Sequence, residues 1–301
     1  MKNQILRSPL FYVGDKYKLI KEISSYFPSE IEKFVEPFVG GGSVFMNIDA
    51  KKFYLNDIDA NIIELHKFLC KLANKQPKFF HQIENLIFKY GLSYSYKEDC
   101  IPIELKRQYK KTYFAVYNKK AYEQMRTDFN NSPKPDLYIL YLLLIYGFNR
   151  MLRFNKNGNF NLPVGNVDFN SNVVNALNSY FKHVITKKPK WFNVDYRDFL
   201  RRVRLSENDF IYFDPPYLIT FSEYNKLWNE QDEIELLRWL DKLNKRNLRF
   251  AISNVTHYKG RRNNIFIDWA SNYNSHPIKS NYINYHDNTI KQFNEVLITN
   301  Y

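Results

Sequence analysis

Short apolar runs that end in a polar or acidic residue recur at both ends of this 301-residue chain. Their length and their content of β-branched and aromatic residues are typical of buried strands. The runs predict strands at 33–36, 52–57, 191–195, 209–214, 248–254 and 293–299. Helical spacing follows several of them, from Val44, from Ala60 and over 234–243. Strands that alternate with helices predict an α/β fold with a doubly wound, mostly parallel, Rossmann-like sheet.

The middle of the chain has a different pattern. Residues 66–190 are mainly helical in spacing, and the apolar run 137–148 indicates a buried helix. Asn155-Lys156-Asn157-Gly158 lies between apolar flanks, and Asn-Gly in that setting predicts a β-hairpin. We therefore predict two domains: a sheet domain made of 1–65 and 191–301, and an inserted, mainly helical domain at 66–190 that carries the hairpin.

Positive charge is concentrated in the same middle segment. The whole chain has a formal net charge of +13. Residues 66–190 hold 21 Lys and Arg against 8 Asp and Glu, whereas the rest of the chain holds 23 of each. The middle segment thus carries the entire excess, which indicates a polyanion partner such as nucleic acid. The alternative is a lysine-rich surface that only keeps the protein in solution.

The remaining composition argues against several classes of site. Cys70 and Cys100 form no CxxC pair, and the six histidines show no metal-ligand spacing, so no metal site is expected. The apolar run at 137–148 is too short to cross a bilayer, and the N-terminus has no signal-peptide core. These features predict a cytoplasmic protein with no membrane partner.

Three predicted strands have an acid at or just beyond their carboxyl end: Asp57, Asp195 and Asp214. Open α/β sheets bind ligands at that edge. The loop after the first strand contains Gly40, Gly41 and Gly42, which let a ligand approach backbone N–H groups closely. An acid about 15 residues beyond a glycine-rich turn suits ribose hydroxyls. A nucleoside-containing cofactor is the functional interpretation; the alternative is that the acids are helix caps or turn formers.

The fourth strand is followed by Asp214-Pro215-Pro216-Tyr217. A carboxylate, a carbonyl fixed by proline and an aromatic ring within four residues suit a flat substrate that carries an amino group. The same four letters also occur in ordinary strand-to-turn loops.

These motifs stand in the order found in the Dam-type, α-group adenine-N6 DNA methyltransferases, which the chain resembles over nearly its whole length. The elements that carry the resemblance are Phe11–Tyr17 (family Trp-Ala-Gly-Gly-Lys), Glu36-Pro37-Phe38-Val39-Gly40-Gly41-Gly42, Asn56-Asp57, Val194-Asp195-Tyr196, Asp214–Tyr217, and Arg150 with 158–165 (family Arg…Gly-x-Phe-Asn-x-Pro-x-Gly). The chain departs from the family at Tyr12, where Trp is usual, and at Asp15 and Asn193, where Gly is usual.

The resemblance implies a site-specific enzyme that methylates adenine N6 in double-stranded DNA, with S-adenosylmethionine as methyl donor, S-adenosylhomocysteine as product and no metal. It implies catalytic roles for Asp214, Pro215, Pro216 and Tyr217. The implied cofactor contacts are Tyr12, Lys16, Glu36, Pro37, Phe38, Gly40, Gly41, Gly42, Asp57, Asp195, Tyr196 and Asp214. The implied DNA contacts are Arg150, Arg153, Asn155, Asn157, Phe160 and Asn161. A separately encoded restriction endonuclease is an expected partner, unless the gene is solitary or phage-borne.

The implied chemistry activates the amine. Asp214 would accept one N6–H and the Pro215 carbonyl the other, so that the nitrogen lone pair turns toward the methyl donor. Tyr217 would stack on the base, which has to flip out of the duplex. Alternative substrates are cytosine N4, an RNA base or a protein glutamine, and an alternative of another class is a non-catalytic DNA-binding relative.

Overall fold

A computed structural model describes residues 5–98, 100–220, 228–279 and 293–301 of the protein. Contacts group the chain into two compact units. The helical unit comprises 1–17, 40–46 and 59–188, and the sheet unit comprises 18–39, 47–58 and 189–301.

The sheet unit is built on one mixed sheet. Its strands are β1 (Lys33–Glu36), β2 (Lys52–Asn56), β3 (Lys190–Phe192), β4 (Phe210–Phe213), β5 (Arg249–Tyr258), β6 (Arg261–Arg262), β7 (Asn274–Ile278) and β8 (Phe293–Thr299). The order across the sheet is β3-β2-β1-β4-β5-β8-β7, with β6 paired to β5. The five strands from β3 to β5 are parallel, and β8 runs antiparallel to both of its neighbours. The predicted α/β class with a mostly parallel sheet is confirmed.

Helices flank the strands of this unit. They are α1 (Ile20–Ile23), α8 (Tyr196–Arg202), α9 (Glu230–Asn244) and α10 (Asn264–Ala270). The predicted helix at 234–243 is α9, which begins at a capping box between Asn229 and Asp232. Its buried leucines pack with Phe199, Phe213 and Phe250 in one core, so the carboxyl ends of the central strands are held on a rigid base.

The helical unit contains α2 (Ala60–Leu72), α3 (Gln76–Tyr90), α4 (Ile103–Tyr109), α5 (Tyr113–Asn131), α6 (Leu137–Tyr146) and α7 (Ser171–Lys187). Side chains of Asp59, Asp136 and Asn170 cap α2, α6 and α7. The predicted buried helix is α6, whose last seven residues are all buried. Among the described residues, none of the helices is both long and apolar enough to span a bilayer.

The expectation of a helix from Val44 is wrong. The structure has only a single 3₁₀ turn at Phe45–Asn47 before β2 begins at Lys52. The backbone amides of Lys51 and Lys52 donate hydrogen bonds to the carbonyls of Ile31 and Glu32, so the chain after the 3₁₀ turn pairs with the segment that leads into β1.

The predicted hairpin forms at the expected turn. Phe154 and Phe160 make an antiparallel bridge, and the Asn155 and Gly158 amides close the turn on Asn159 and Asn155 carbonyls at 2.8 and 2.9 Å. The returning strand is fixed to the end of α6, because the Gly165 amide donates to the Tyr146 carbonyl at 2.7 Å. A Cβ on Gly165 would lie 2.6 Å from the Gly147 carbonyl oxygen, which explains the glycine.

Candidate functional site

One side chain ties together three loops at the carboxyl edge of the sheet. The Asn56 amide, at the end of β2, donates to the carbonyls of Pro37 and Val194 at 3.0 and 2.9 Å. Its oxygen accepts from the Val194 amide at 3.1 Å, and the Val39 amide bonds to its backbone carbonyl at 2.8 Å. The loops after β1, β2 and β3 therefore form one hydrogen-bonded ledge.

Asp57 is half-exposed on this ledge, one residue beyond Asn56. The Asn193 side chain donates to the carbonyls of Asp57 and Ile58 at 2.9 and 3.0 Å. Asn193 is one of the departures from the family pattern, and here it supplies a bond that a glycine has no atoms to make. The asparagine therefore fixes the backbone that presents Asp57.

Asp195 has the role that the alternative interpretation gave it: it caps α8 by accepting from the Arg197 amide at 2.9 Å. Its two oxygens also accept from the Arg197 guanidinium at 2.7 and 2.8 Å, and Arg197 pairs with Glu235. The hydrogen bonds from Arg197 lower the pKa of the Asp195 carboxyl. A ligand at Asp195 would therefore meet a carboxylate that is ionised and already oriented.

An aromatic group stands beside this ledge. The rings of Phe38 and Tyr196 have centroids 5.3 Å apart, and Trp228 lies 6.0 Å from Phe38. The Tyr196 hydroxyl is buried and has no hydrogen-bond partner among the described residues, and burial raises its pKa. Glu36 and Pro37 are buried at the end of β1. Flat rings, an orphaned hydroxyl and carboxylates are the donor and acceptor set that a nucleoside requires.

The Asp214 motif follows β4, whose four residues are all buried. Asp214 is half-buried, Pro215 is buried and Pro216 is half-buried. The Tyr217 hydroxyl lies 3.0 Å from an Asp214 oxygen and 3.0 Å from a Glu295 oxygen. The phenol therefore fixes the orientation of the Asp214 carboxylate before any substrate is bound.

Sequence reasoning missed Glu295. It lies on β8, is only 2% exposed and contacts the Asp214 motif through Tyr217. A signal was present, because Glu295 is a single acid inside the predicted strand 293–299, and a buried acid needs a specific partner.

In the helical unit, the glycine loop is packed by aromatic side chains. A Cβ on Gly41 would lie 2.7 Å from the Tyr12 Cβ. A Cβ on Gly42 would lie 2.4 Å from the Phe45 ring, and Gly42 has φ +80°. The loop is glycine-rich because neighbouring side chains fill the space, and its conformation is fixed by them.

The N-terminal arm holds this loop through Asp15, another departure from the family. Asp15 accepts from the Ser43 hydroxyl at 3.1 Å and from the Tyr17 amide at 3.2 Å. Burial raises the pKa of the Asp15 carboxyl, although the two hydrogen bonds oppose that rise. Tyr12 and Lys16 are buried nearby in sequence, and the Lys16 ammonium lies 3.4 Å from the Gly14 carbonyl. The aspartate thus links the arm to the residue after the glycines.

We expect Gly41→Ala to destabilise the protein by about 1–3 kcal/mol, because the new methyl group overlaps Tyr12 and the backbone has to move. Urea unfolding measures the change. Gly91→Asn is the matched control, since Gly91 has φ +75° in open space and asparagine tolerates that conformation. Equal stability of the Gly41 variant and the wild type would contradict the packing described here.

The hairpin arranges polar side chains on its exposed part. Arg153 donates to the side-chain and backbone oxygens of Asn161 at 2.9 and 2.8 Å. The Asn155 side chain accepts from the amides of Asn157 and Asn159, so it stabilises the turn itself. Asn155, Asn157 and Asn161 are exposed and Arg153 is half-exposed.

Phe160 faces the interior of the helical unit. It is 1% exposed and packs against Phe129 and Phe154. The Asn130 side chain bonds its amide and carbonyl at 2.8 and 2.9 Å. Phe160 fixes the hairpin to the interior of the unit, so a ligand at the surface would contact its exposed neighbours, such as Asn161, instead of Phe160 itself. Arg150 is half-exposed, and its guanidinium lies 4.0 Å from the centre of the Phe11 ring.

The predicted site residues therefore fall into three groups. The sheet edge gathers Glu36, Pro37, Phe38, Asp57, Asp195, Tyr196 and 214–217. The helical unit packs Tyr12 against Gly40 and Gly41, and it buries Lys16. The hairpin region carries Arg153, Asn155, Asn157 and Asn161 on its surface, with Phe160 buried and Arg150 on Phe11. Among the described residues, no three His, Cys, Asp or Glu side chains form a group suited to a metal ion.

Known proteins are similar to this chain over most of its length. It is 37% identical to the modification methylase StsI of Streptococcus sanguinis over 98% of the chain, and 34% identical to the type II methyltransferase M.FokI of Planomicrobium okeanokoites over 99%. The chain spans 43% of the length of each of these relatives. It is 26% identical to the DNA adenine methylase of Escherichia coli K12, over 70% of the chain and 65% of that protein.

The sequence profile of one protein family matches residues 12–284, a range that contains the glycine loop, Asp57, the hairpin, Asp195 and the Asp214 motif. On that match, the chain belongs to the D12 class N6 adenine-specific DNA methyltransferases.

Proposed function

We propose that this protein transfers a methyl group from S-adenosylmethionine to the N6 amine of a flipped adenine at a specific site in double-stranded DNA. The observation that carries the proposal is the Asp214 carboxylate at the carboxyl end of β4, oriented by the Tyr217 hydroxyl at 3.0 Å. Membership of the family supports the same reaction.

Asp214 and Pro215 would prepare the amine. The lone pair of adenine N6 is delocalised into the ring, so the nitrogen is a weak nucleophile. Accepting its two N–H bonds at the Asp214 carboxylate and the Pro215 carbonyl draws the lone pair out of the ring and aims it. A carboxylate suits this task because it stabilises the positive charge that develops on nitrogen.

The ring and the hydroxyl of Tyr217 would have different roles in binding the adenine. We propose that its ring stacks on the flipped base, which offsets part of the unstacking energy. Its hydroxyl lies 3.0 Å from an oxygen of Asp214 and 3.0 Å from an oxygen of Glu295 and donates its single proton to one of them, so the ring orientation is set in advance.

The methyl donor would be held at the sheet edge. S-adenosylmethionine supplies an electrophilic methyl sulfonium when bound. We assign the ribose hydroxyls to Asp57, the adenine to Phe38, Asp195 and Tyr196, and the amino-acid portion to Glu36 and Pro37. The buried, unsatisfied Tyr196 hydroxyl supports a polar ligand atom at that point.

Asp57→Ala is expected to weaken S-adenosylmethionine binding by about 1.5–3 kcal/mol, because a charged acceptor of ribose hydrogen bonds is lost. Isothermal titration calorimetry measures this. Asp57→Asn keeps a hydrogen-bond acceptor without the charge, so its affinity for S-adenosylmethionine should lie between those of Asp57→Ala and the wild type. Asp198→Ala removes an exposed acid of α8 that pairs with Arg201 and should bind as the wild type does. Wild-type affinity in Asp57→Ala would contradict the assignment.

We propose residues 66–190 as the DNA-recognition domain and 1–65 with 191–301 as the catalytic domain. The excess of 13 positive charges in 66–190 supports phosphate contacts that carry no base information. Arg153 and Asn161, exposed on the hairpin and bonded to each other, are proposed to reach base edges.

The experiment that tests the function is transfer of a tritiated methyl group to duplex DNA, followed by digestion and identification of the modified nucleoside. N6-methyladenine is the expected product. N4-methylcytosine, label in RNA or label on a glutamine would each replace the proposed substrate. Binding of the methyl donor and of DNA without any transfer would instead support a non-catalytic relative.

The relatives named modification methylase and type II methyltransferase suggest a place for this protein beside a nuclease. We propose a separately encoded restriction endonuclease as its partner in the cell. Mapping the methylated adenines of a plasmid from an expressing host defines the sequence, and a nuclease encoded nearby should cut that sequence only when it is unmethylated.

A further inference from the structure

Two arginines converge on one aromatic ring in the helical unit. The guanidinium carbons of Arg7 and Arg150 lie 4.6 and 4.0 Å from the centre of the Phe11 ring. Arg7 also lies 5.1 Å from the centre of the Tyr17 ring. Aromatic faces hold guanidinium groups through cation–π attraction, but two cations on one ring still repel each other.

The backbone at this point is strained. Six non-glycine residues of the described chain have positive φ, and three of them lie in this group: Phe11 at +48°, Asn149 at +52° and Arg150 at +50°. Positive φ is unfavourable for bulky side chains and persists only where surrounding contacts enforce it, which is often at ligand sites. Asparagine adopts this conformation at little cost, whereas phenylalanine and arginine adopt it at a steric cost of about 1–2 kcal/mol each.

Specific contacts enforce that conformation. The Tyr141 hydroxyl, fully buried on α6, donates to the Pro9 carbonyl at 3.0 Å. The Phe11 amide donates to the Ser8 carbonyl at 3.2 Å, and the Arg150 amide donates to the Gly147 carbonyl at 3.1 Å. The arrangement is therefore built into the unit on both sides of the ring.

The charge of Arg150 is left incompletely compensated. Its Nε is buried and has no hydrogen-bond partner in the part of the chain that the structure describes. Burial, and then the charge of Arg7, lower the pKa of the Arg150 guanidinium to about 10, so it is still positively charged at neutral pH. Asp168 attracts it only through space, because Asp168 is engaged by the amide and hydroxyl of Ser95 at 2.7 and 2.8 Å.

Asp15 is to Arg7 what Asp168 is to Arg150, a nearby carboxylate whose oxygens bond to other groups. It attracts Arg7 through space, while its own oxygens accept from Ser43 and Tyr17. The two nearby carboxylates are thus bound elsewhere, and an external anion would relieve the repulsion between the guanidiniums.

We propose that Arg7 and Arg150, gathered on Phe11, form a site for one phosphodiester group of the DNA backbone. The inference rests on the proposed function, since it takes DNA as the ligand. Guanidinium groups bind phosphate oxygens through paired, charge-assisted hydrogen bonds. Arg150 belongs to the segment that carries the whole positive excess and directly precedes the hairpin at 153–161. A carboxylate, such as that of the methyl donor, shares this chemistry, and the test separates the two.

The test is the salt dependence of DNA affinity for Arg7→Gln/Arg150→Gln. We expect affinity to fall about ten- to hundredfold for specific and nonspecific duplexes alike. The slope of log K against log salt should become shallower by about 0.9, the value for one phosphate on duplex DNA. Arg201→Gln/Arg202→Gln on α8 removes the same charge from two exposed arginines and should leave the slope unchanged.

Three further results decide the proposal. An unchanged slope overturns it, and a change near 1.8 means two separate phosphates and overturns the shared site. A tenfold or larger loss of S-adenosylmethionine affinity in the double variant, measured without DNA, assigns the site to a carboxylate and overturns it as well.

Phe11→Leu keeps both charges and most of the volume, and it should weaken DNA binding if the ring gathers the guanidiniums. Circular dichroism checks that each variant is folded. If the wild-type protein methylates DNA but the double variant keeps the wild-type slope of log K against log salt, only the phosphate site at Arg7 and Arg150 is refuted. Wild-type protein that neither binds nor methylates DNA refutes the proposed function instead.

Discussion

Asp214→Ala is expected to lose methyl transfer by at least about 100-fold in a single-turnover assay, because the carboxylate is proposed to align and stabilise the amine as positive charge develops on it. Affinity for S-adenosylmethionine should stay within about tenfold of the wild type, since the carboxylate orients the amine more than it holds the donor. Calorimetry and tritium transfer on the same preparation separate the two effects.

Two companion variants show which property of the motif matters. Asp214→Asn keeps an oxygen that can accept one N–H but loses the charge, so its rate should lie between those of alanine and the wild type. Tyr217→Phe keeps the ring and removes the hydroxyl that lies 3.0 Å from Asp214 and Glu295. A moderate loss of rate in Tyr217→Phe with unchanged DNA affinity would indicate orientation of the carboxylate. Full-rate turnover by Asp214→Ala would refute the role of Asp214.

The central strands were predictable from sequence because they are buried on both faces. Phe210–Phe213 is apolar throughout and forms β4, and the run predicted at 248–254 lies within β5 from Arg249 onward. Strands that are buried on both faces are nearly continuous apolar runs, so they can be recognised without an alternating pattern. The acids at their ends were predictable for the same reason, since the end of an apolar run marks the edge of the sheet.

Strand β7 shows why the rest was not predictable. Asn274–Ile278 contains Ser275, His276 and Pro277, which is a sequence typical of a loop. It forms a strand because it lies at the edge of the sheet beside β8, where a proline leaves no central ladder position unpaired. Its structure depends on pairing with β8, which is distant in sequence, and the local sequence pattern contains no information about that pairing.

The candidate site was predicted where it depends on local motifs and missed where it depends on packing. The glycines and Asp214 stand in recognisable strings, but Glu295 contacts the Asp214 motif across 78 residues of the chain. The placement of cofactor and DNA on these residues stays a prediction. Asp195 shows that a local contact can be missed as well: its position just beyond a strand was predicted, whereas its pairing with Arg197, two residues later, was not.

His66 links the glycine loop to the core of the helical unit. The ring is fully buried on α2, with Nε2 2.9 Å from the Gly40 carbonyl and Nδ1 2.9 Å from the Tyr180 hydroxyl. A carbonyl only accepts, so Nε2 carries the proton and Nδ1 accepts from the tyrosine. The neutral ring therefore satisfies both partners, and burial lowers the pKa of His66 from 6.5 to about 4.

This shift makes the stability of the protein depend on pH. Between pH 6.5 and about 4 the unfolded chain binds a proton at His66 that the folded chain does not bind, so the free energy of unfolding falls as pH falls. The shift corresponds to about 3 kcal/mol of stability that is present above pH 6.5 and lost by about pH 4. Asp15, Asp168 and Glu233 have pKa values raised by burial, so each contributes with the opposite sign.

A difference between variants isolates the histidine from those acids. His66→Gln should be less stable than the wild type at pH 7, and that deficit should shrink by about 3 kcal/mol as the pH is lowered from 7 to 4. Urea unfolding of the variant and the wild type at each pH measures the difference. Because His66 bonds the Gly40 carbonyl, affinity for the methyl donor should decline along with stability if the loop binds it. A deficit that is the same at pH 7 and pH 4 would mean that His66 is not held neutral, and the account of how the core fixes the glycine loop would have to be abandoned.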